Sequence, residues 1–144
     1  MDTSAFIAGL RSPSGASAEI LRLTLLGRTD MIVSVPLFVE YEAVAMRSEH
    51  LAAAGLSPSQ VTLLLDALAT RVHPIDIQFL WRPQLRDPDD EMVLEVAING
   101  GADAIVTFNP RDFAAAPKRF CVRLLNPSQA LARIAGPPSN RRRQ

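Results

Sequence analysis

A single cysteine, Cys121, stands among 144 residues. One thiol excludes an internal disulfide and any multi-cysteine zinc site, so a reducing cytoplasm is the expected setting. Aromatic residues make up only 6% of the chain, which leaves Leu, Val, Ile and Ala to build the core. No apolar run approaches the roughly 18 residues that a membrane span needs. The opening residues show no basic stretch followed by an apolar one, as a secretion signal would. No membrane association is expected. A dinucleotide site is excluded by the lack of any Gly-x-Gly-x-x-Gly. The two histidines, His50 and His73, are not spaced as metal ligands. Net charge is also missing: 15 basic residues balance 15 acidic ones, so the chain has no general basic coat for nucleic acid. Lys118 is the only lysine, and the other basic residues are arginines, whose forks suit phosphate.

What remains is 48% hydrophobic, enough for one domain with one core. The domain is expected over residues 1–135. A flexible tail, 136–144, follows, with Pro137, Pro138 and the run Arg141 to Arg143. Within the domain, strand-like and helix-like segments alternate. Ala5–Leu10 reads as the continuation of a short apolar opening strand. Ala18–Leu26 reads as a helix, with Ile20, Leu21, Thr24 and Leu25 on one face. Met31–Val35 is apolar and β-branched, hence a buried strand, and Pro36 suits the first turn of a helix running to about Arg47. Ser57-Pro58-Ser59-Gln60 combines an N-cap, a first-position proline and a capping-box glutamine, and predicts a helix to Arg71. Val72–Ile77, Ala104–Phe108 and Cys121–Leu125 read as strands. Asp87-Pro88 opens a helix ending near Gly100-Gly101, and Pro127–Ile134 is a last helix. This alternation predicts an α/β fold: a central parallel sheet of about five strands between two helical layers. In such sheets, sites lie beyond the carboxyl ends of the strands.

Acidic residues recur at those ends. Asp2 lies in or beside the first strand. Glu40 lies one turn into the helix after the second. Asp87, Asp89 and Asp90 open the helix before the fourth, and Asn109 and Asp112 follow the fourth directly. Carboxylates from separate segments that converge at one sheet edge are what a hard divalent cation requires. Each also has a plainer role. Asp87 before Pro88 is an ordinary N-cap, and Asp90 in the first turn suits the helix dipole. Glu40 and Glu42 point about 200° apart on a helix, so only one can face a given site. Asp112 after Pro110 suits a turn.

The order of these segments resembles the PIN-domain family, and within it a branch of toxin components from bacterial toxin–antitoxin pairs. Asp2-Thr3-Ser4-Ala5-Phe6 resembles the first motif of that family. Ser34 to Val44 (SVPLFVEYEAV) resembles the second, Arg86 to Ala97 (RDPDDEMVLEVA) the third, and Ala102 to Phe113 (ADAIVTFNPRDF) the fourth. The likeness covers residues 2–126, and carried across it implies metal-binding, catalytic acids at Asp2, Glu40 and Asp90. Asp90 is preferred to its neighbours because Ala97 then lies seven residues on, as in the family's helix. The family's fourth acid falls on Asn109, which offers a carbonyl but no charge. Asn109 and Asp112 are therefore further candidate ligands. The family opens with several apolar residues before its first aspartate. Here Met1 precedes it directly, so the first strand is expected to be clipped or the chain to start further upstream.

The resemblance implies a ribonuclease that uses Mg²⁺ or Mn²⁺, and hence a PIN-like three-layer fold. Thr3, Ser4 and Thr107 would support the acids by hydrogen bonds, and Arg11, Arg86 and Arg111 would hold RNA phosphates. It also implies a homodimer and an antitoxin partner, with the Ser57–Arg71 helix and the helix ending at Arg47 as the contact hairpin. Trp81 is a candidate for the rim of the site. The alternative is a PIN-like module that binds RNA or a protein without cutting. A haloacid-dehalogenase-like phosphatase would want Asp-x-Asp at the first strand, where this chain has Asp2-Thr3-Ser4.

Overall fold

The computed structural model describes residues 1–80, 84–114 and 119–136. Trp81 and most of the C-terminal tail therefore lie outside the described residues. In chain order the elements are α1 (Thr3–Arg11), α2 (Ala16–Leu25), β1 (Ile32–Val33), α3 (Val35–Ala45), α4 (Ser48–Ala54), α5 (Pro58–Ala69), β2 (His73–Pro74), α6 (Pro88–Asn99), β3 (Ala104–Val106), a 3-10 turn (Pro110–Phe113), β4 (Arg123–Leu125) and α7 (Pro127–Ala135).

The expected opening strand over Ala5–Leu10 is helix instead. The Asp2 carboxylate accepts the Ala5 N–H at 2.8 Å and starts α1 there. Ala5, Phe6, Gly9 and Leu10 then recur at helical spacing and are buried together. A short apolar run carries no period long enough to separate the two states, and the aspartate cap decides between them. Gly9 lets α1 and α2 approach closely, since a Cβ there would sit 2.7 Å from Leu21 Cδ1.

Because that segment is helical, no continuous five-stranded sheet forms among the described residues. There are two separate parallel pairs, β1 with β2 and β3 with β4. Met31 and Val33 carbonyls accept the His73 and Ile75 N–H groups. Backbone direction alternates along a strand, so the amide groups of Ile32 face away from β2. On β3, the Val106 carbonyl likewise faces away from β4, where it accepts the Asp2 N–H at 2.9 Å. A slot of about 900 Å³ lies between the two pairs, lined by Met1, Ile32, Ala104 and Val106 among others. Met1 carries an amine whose pKa is lowered by burial, with the Asp2 charge opposing the shift.

The helices carry most of the core. Phe6 stacks on Tyr41 with ring centroids 4.3 Å apart, and both are fully buried. Leu37, Leu65, Leu68, Leu94 and Phe113 pack into the same cluster. The helix expected from Pro36 to about Arg47 is α3, which ends at Ala45 with Met46 as its C-cap. Arg47 is extended (φ −62°, ψ 135°) and serves as the N-cap of a further helix, α4, that was not expected from sequence. No single helix among the described residues is long and apolar enough to cross a membrane.

Candidate functional site

Four helices converge on one pocket of about 550 Å³. Its lining includes Asp2, Thr3 and Ser4 from the start of α1, Glu40 from α3, and Asp87, Asp89 and Asp90 from the start of α6. Sequence separation is resolved here by capping. Asp2 and Asp87 are both N-caps, so α1 and α6 present their first turns, with their partial positive charge, to the same space.

Asp2 is buried and fully engaged. Its Oδ1 accepts the Ala5 N–H, and its Oδ2 accepts the Thr107 hydroxyl. Thr107, itself wholly buried, also accepts the Asn109 N–H at 2.9 Å, which ties the end of β3 to the start of α1. Tyr41 donates its hydroxyl to the Met1 carbonyl. Burial, with the nearby Asp2 charge adding to it, pushes the Tyr41 hydroxyl far up, so the phenol stays a donor.

Asp90 has the opposite environment. Its pKa is raised from 3.8 to about 6, first by burial and then by Asp87, Asp112, Asp2 and Asp89. A carboxylate crowded by others in this way gains from a cation. Asp87 is exposed and caps Asp89 N–H at 2.9 Å, so its plainer role is the one seen. Glu40 lines the pocket, whereas Glu42 is exposed and does not. Glu91 turns the other way, where its Oε1 accepts the Gln84 and Leu85 N–H groups at 2.5 and 2.7 Å.

The remaining sequence candidates divide. Arg11 lines the pocket, while Arg86, Arg111, Asn109 and Asp112 do not. Asn109 and Asp112 are exposed on the 3-10 turn, and Asp112 reaches the site only through its effect on Asp90. Two residues that the sequence pattern did not single out, Arg47 and His50, line the pocket too. They follow the helix end expected at about Arg47, and the short helix α4 that turns them toward the acids was not expected from sequence.

The oxygen donors on this pocket fit a hard divalent cation in chemistry. Among the described residues, however, no three His, Cys, Asp or Glu side chains are already arranged as ligands. An ion there would require the side chains to close around it.

Comparison with known families gives the class. The PIN-domain family matches residues 1–111, most of the chain, and the chain belongs to that family. PIN domains are generally nucleases that use divalent metal ions, typically Mg²⁺ or Mn²⁺, so a nuclease-type hydrolase function follows. No curated protein and no solved structure matches the chain.

Proposed function

We propose that the protein is a metal-dependent endoribonuclease and serves as the toxin of a bacterial toxin–antitoxin pair. The observation that carries the reading is the gathering of Asp2, Glu40 and Asp90 around one pocket from three distant segments. Mg²⁺ or Mn²⁺ held by these acids would neutralise charge on a phosphate oxygen and acidify water. Asp90, on the pocket wall, would help hold the ion and orient or take a proton from the attacking water. Asp2 is held in one orientation by the Ala5 N–H and the Thr107 hydroxyl. Thr107 holds Asp2 in place, and Thr3 and Ser4 lie beside it on the pocket wall. Arg11 is the one sequence-predicted arginine on that wall and would bind an RNA phosphate.

The partner reading rests on surface chemistry. Val35 and Val39 on α3 and Leu63 on α5 are each more than half exposed, whereas Leu65 and Leu68 face the core. Exposed aliphatics on two adjacent helices suit a homodimer or antitoxin contact. A cytoplasmic setting accords with this proposal.

Cleavage of structured RNA, with Mg²⁺ or Mn²⁺ and then with EDTA, tests the activity. Cutting that needs metal and is lost in Asp90→Ala supports the nuclease reading. Binding of RNA without any cutting, by wild type in either metal, would favour a non-cleaving PIN-like module.

A further inference from the structure

The acids occupy only part of their pocket. Its lining holds five carboxylates, from Asp2, Glu40, Asp87, Asp89 and Asp90, against two arginines, Arg11 and Arg47. A polyanion would be repelled from such a place unless cations received its backbone locally. The chain's balanced net charge supplies no wider attraction.

The wall that could do so is built by the helix break. Arg47 caps α4 and His50 lies three residues on, so the two project from neighbouring positions of one turn. Both line the pocket, as does Arg11 at the last turn of α1. Arg11 and Arg47 are exposed, and neither forms an ion pair among the described residues. His50 lies beside them on that wall, and its Nδ1 makes no hydrogen bond among the described residues.

We propose that Arg47 and His50, together with Arg11, form a subsite for a non-scissile RNA phosphate adjacent to the acids. The ligand class rests on the nuclease reading, but the subsite binds a phosphate whether or not the neighbouring one is cut. Its effect is to seat the strand, so it acts on substrate affinity rather than on the chemical step. A substrate with no flanking phosphate does not use it.

The test is an Arg47→Gln/His50→Gln double variant, with two readouts. The first is binding of a fluorescent single-stranded RNA octamer in EDTA, over a range of salt. The second is Mn²⁺-dependent hydrolysis of bis(4-nitrophenyl) phosphate, a diester with a single phosphate. RNA binding is expected to weaken by about tenfold or more, with a shallower salt dependence. KM for RNA rises with little change in kcat, and hydrolysis of the small diester is unchanged. Arg47→Lys, which keeps the charge, restores most of the RNA affinity. Unchanged RNA affinity in the folded double variant overturns the subsite, and so does an equal loss on RNA and the small diester. Should the double variant not fold, Arg47→Gln alone, on an exposed side chain, is read by the same criteria. If wild type hydrolyses neither substrate, the nuclease reading falls, while the binding arm still decides the subsite.

Discussion

Asp2 and Asp87 each cap a helix that points into the same pocket, yet their surroundings differ. Asp2 is buried, with one oxygen on the α1 backbone and the other on the Thr107 hydroxyl. Asp87 is exposed and accepts the Asp89 N–H at 2.9 Å. The first joins the start of the chain to β3. The second leaves its neighbours Asp89 and Asp90 crowded and short of counter-charge. One side of the pocket is thus rigid and satisfied, and the other is frustrated until something positive arrives. The difference teaches where stability and chemistry part company: the α1 side holds the fold, and the α6 side is available for reaction.

The largest effect should come from Asp90→Asn. Removing the proposed base and its charge is expected to lower metal-dependent RNA cleavage by at least about 100-fold, or about 2.7 kcal/mol in the barrier. The same change should leave stability equal or slightly higher, because it relieves repulsion. A lower melting temperature would break the comparison. Asp2→Ala is next, and it acts on the fold. Loss of an N-cap costs about 1 kcal/mol, and a buried Thr107 hydroxyl left without its acceptor costs about 1–3 kcal/mol more. Urea unfolding is expected to show a loss of about 2–4 kcal/mol, and a loss near zero would show that Thr107 finds another acceptor. Asp87→Ala should cost only about 1 kcal/mol, the value of an exposed cap.

The smallest effect concerns pH. The folded protein holds the Asp90 proton more tightly than an ordinary carboxyl at 3.8 does, since its pKa is about 6. Ionisation therefore weighs against the fold. The advantage is present in full below the ordinary value and is lost as pH rises through the folded one. In EDTA, the melting-temperature difference between Asp90→Asn and wild type should widen from about pH 5 to about pH 7.5. The gain that Mn²⁺ gives wild type should widen over the same range, because protons and metal compete for the carboxylate. A gain independent of pH would remove Asp90 from the ion's ligands.

The α6 side was the more legible in sequence. Asp87-Pro88 announced a cap, the acids followed it, and the helix ends at Asn99, where Gly100-Gly101 predicted. Helices α5 and α7 were equally plain, with capping boxes at Ser57/Gln60 and Asn126/Gln129 in the structure. The α1 side was not. The run from Ala5 to Leu10 suits a strand or a helix, and a local cap chooses: the Asp2 carboxylate accepts the Ala5 N–H three residues on, a role that reading Asp2 as a strand-end acid passes over. That one choice removes a strand from the expected sheet. The end of α3 near Arg47 was expected, but α4 was not: Arg47 at its N-cap position makes no side-chain cap that would announce a new helix. Arg47 and His50 were therefore not seen as neighbours of the acids. Helical phase said only that Glu40 and Glu42 could not both face the site; the family resemblance chose Glu40, which lines the pocket while Glu42 is exposed.

The double engagement of Asp2 has a consequence for how this protein can change over generations. A mutation that silences the pocket through Asp2 also loosens the joint between the chain's start and β3, so its carriers would lose abundance along with activity. Silencing through Glu40 or Asp90 leaves that joint intact. Lineages that keep the domain but abandon cutting should therefore lose those two acids first and retain an aspartate at the position of Asp2 as a fossil of architecture.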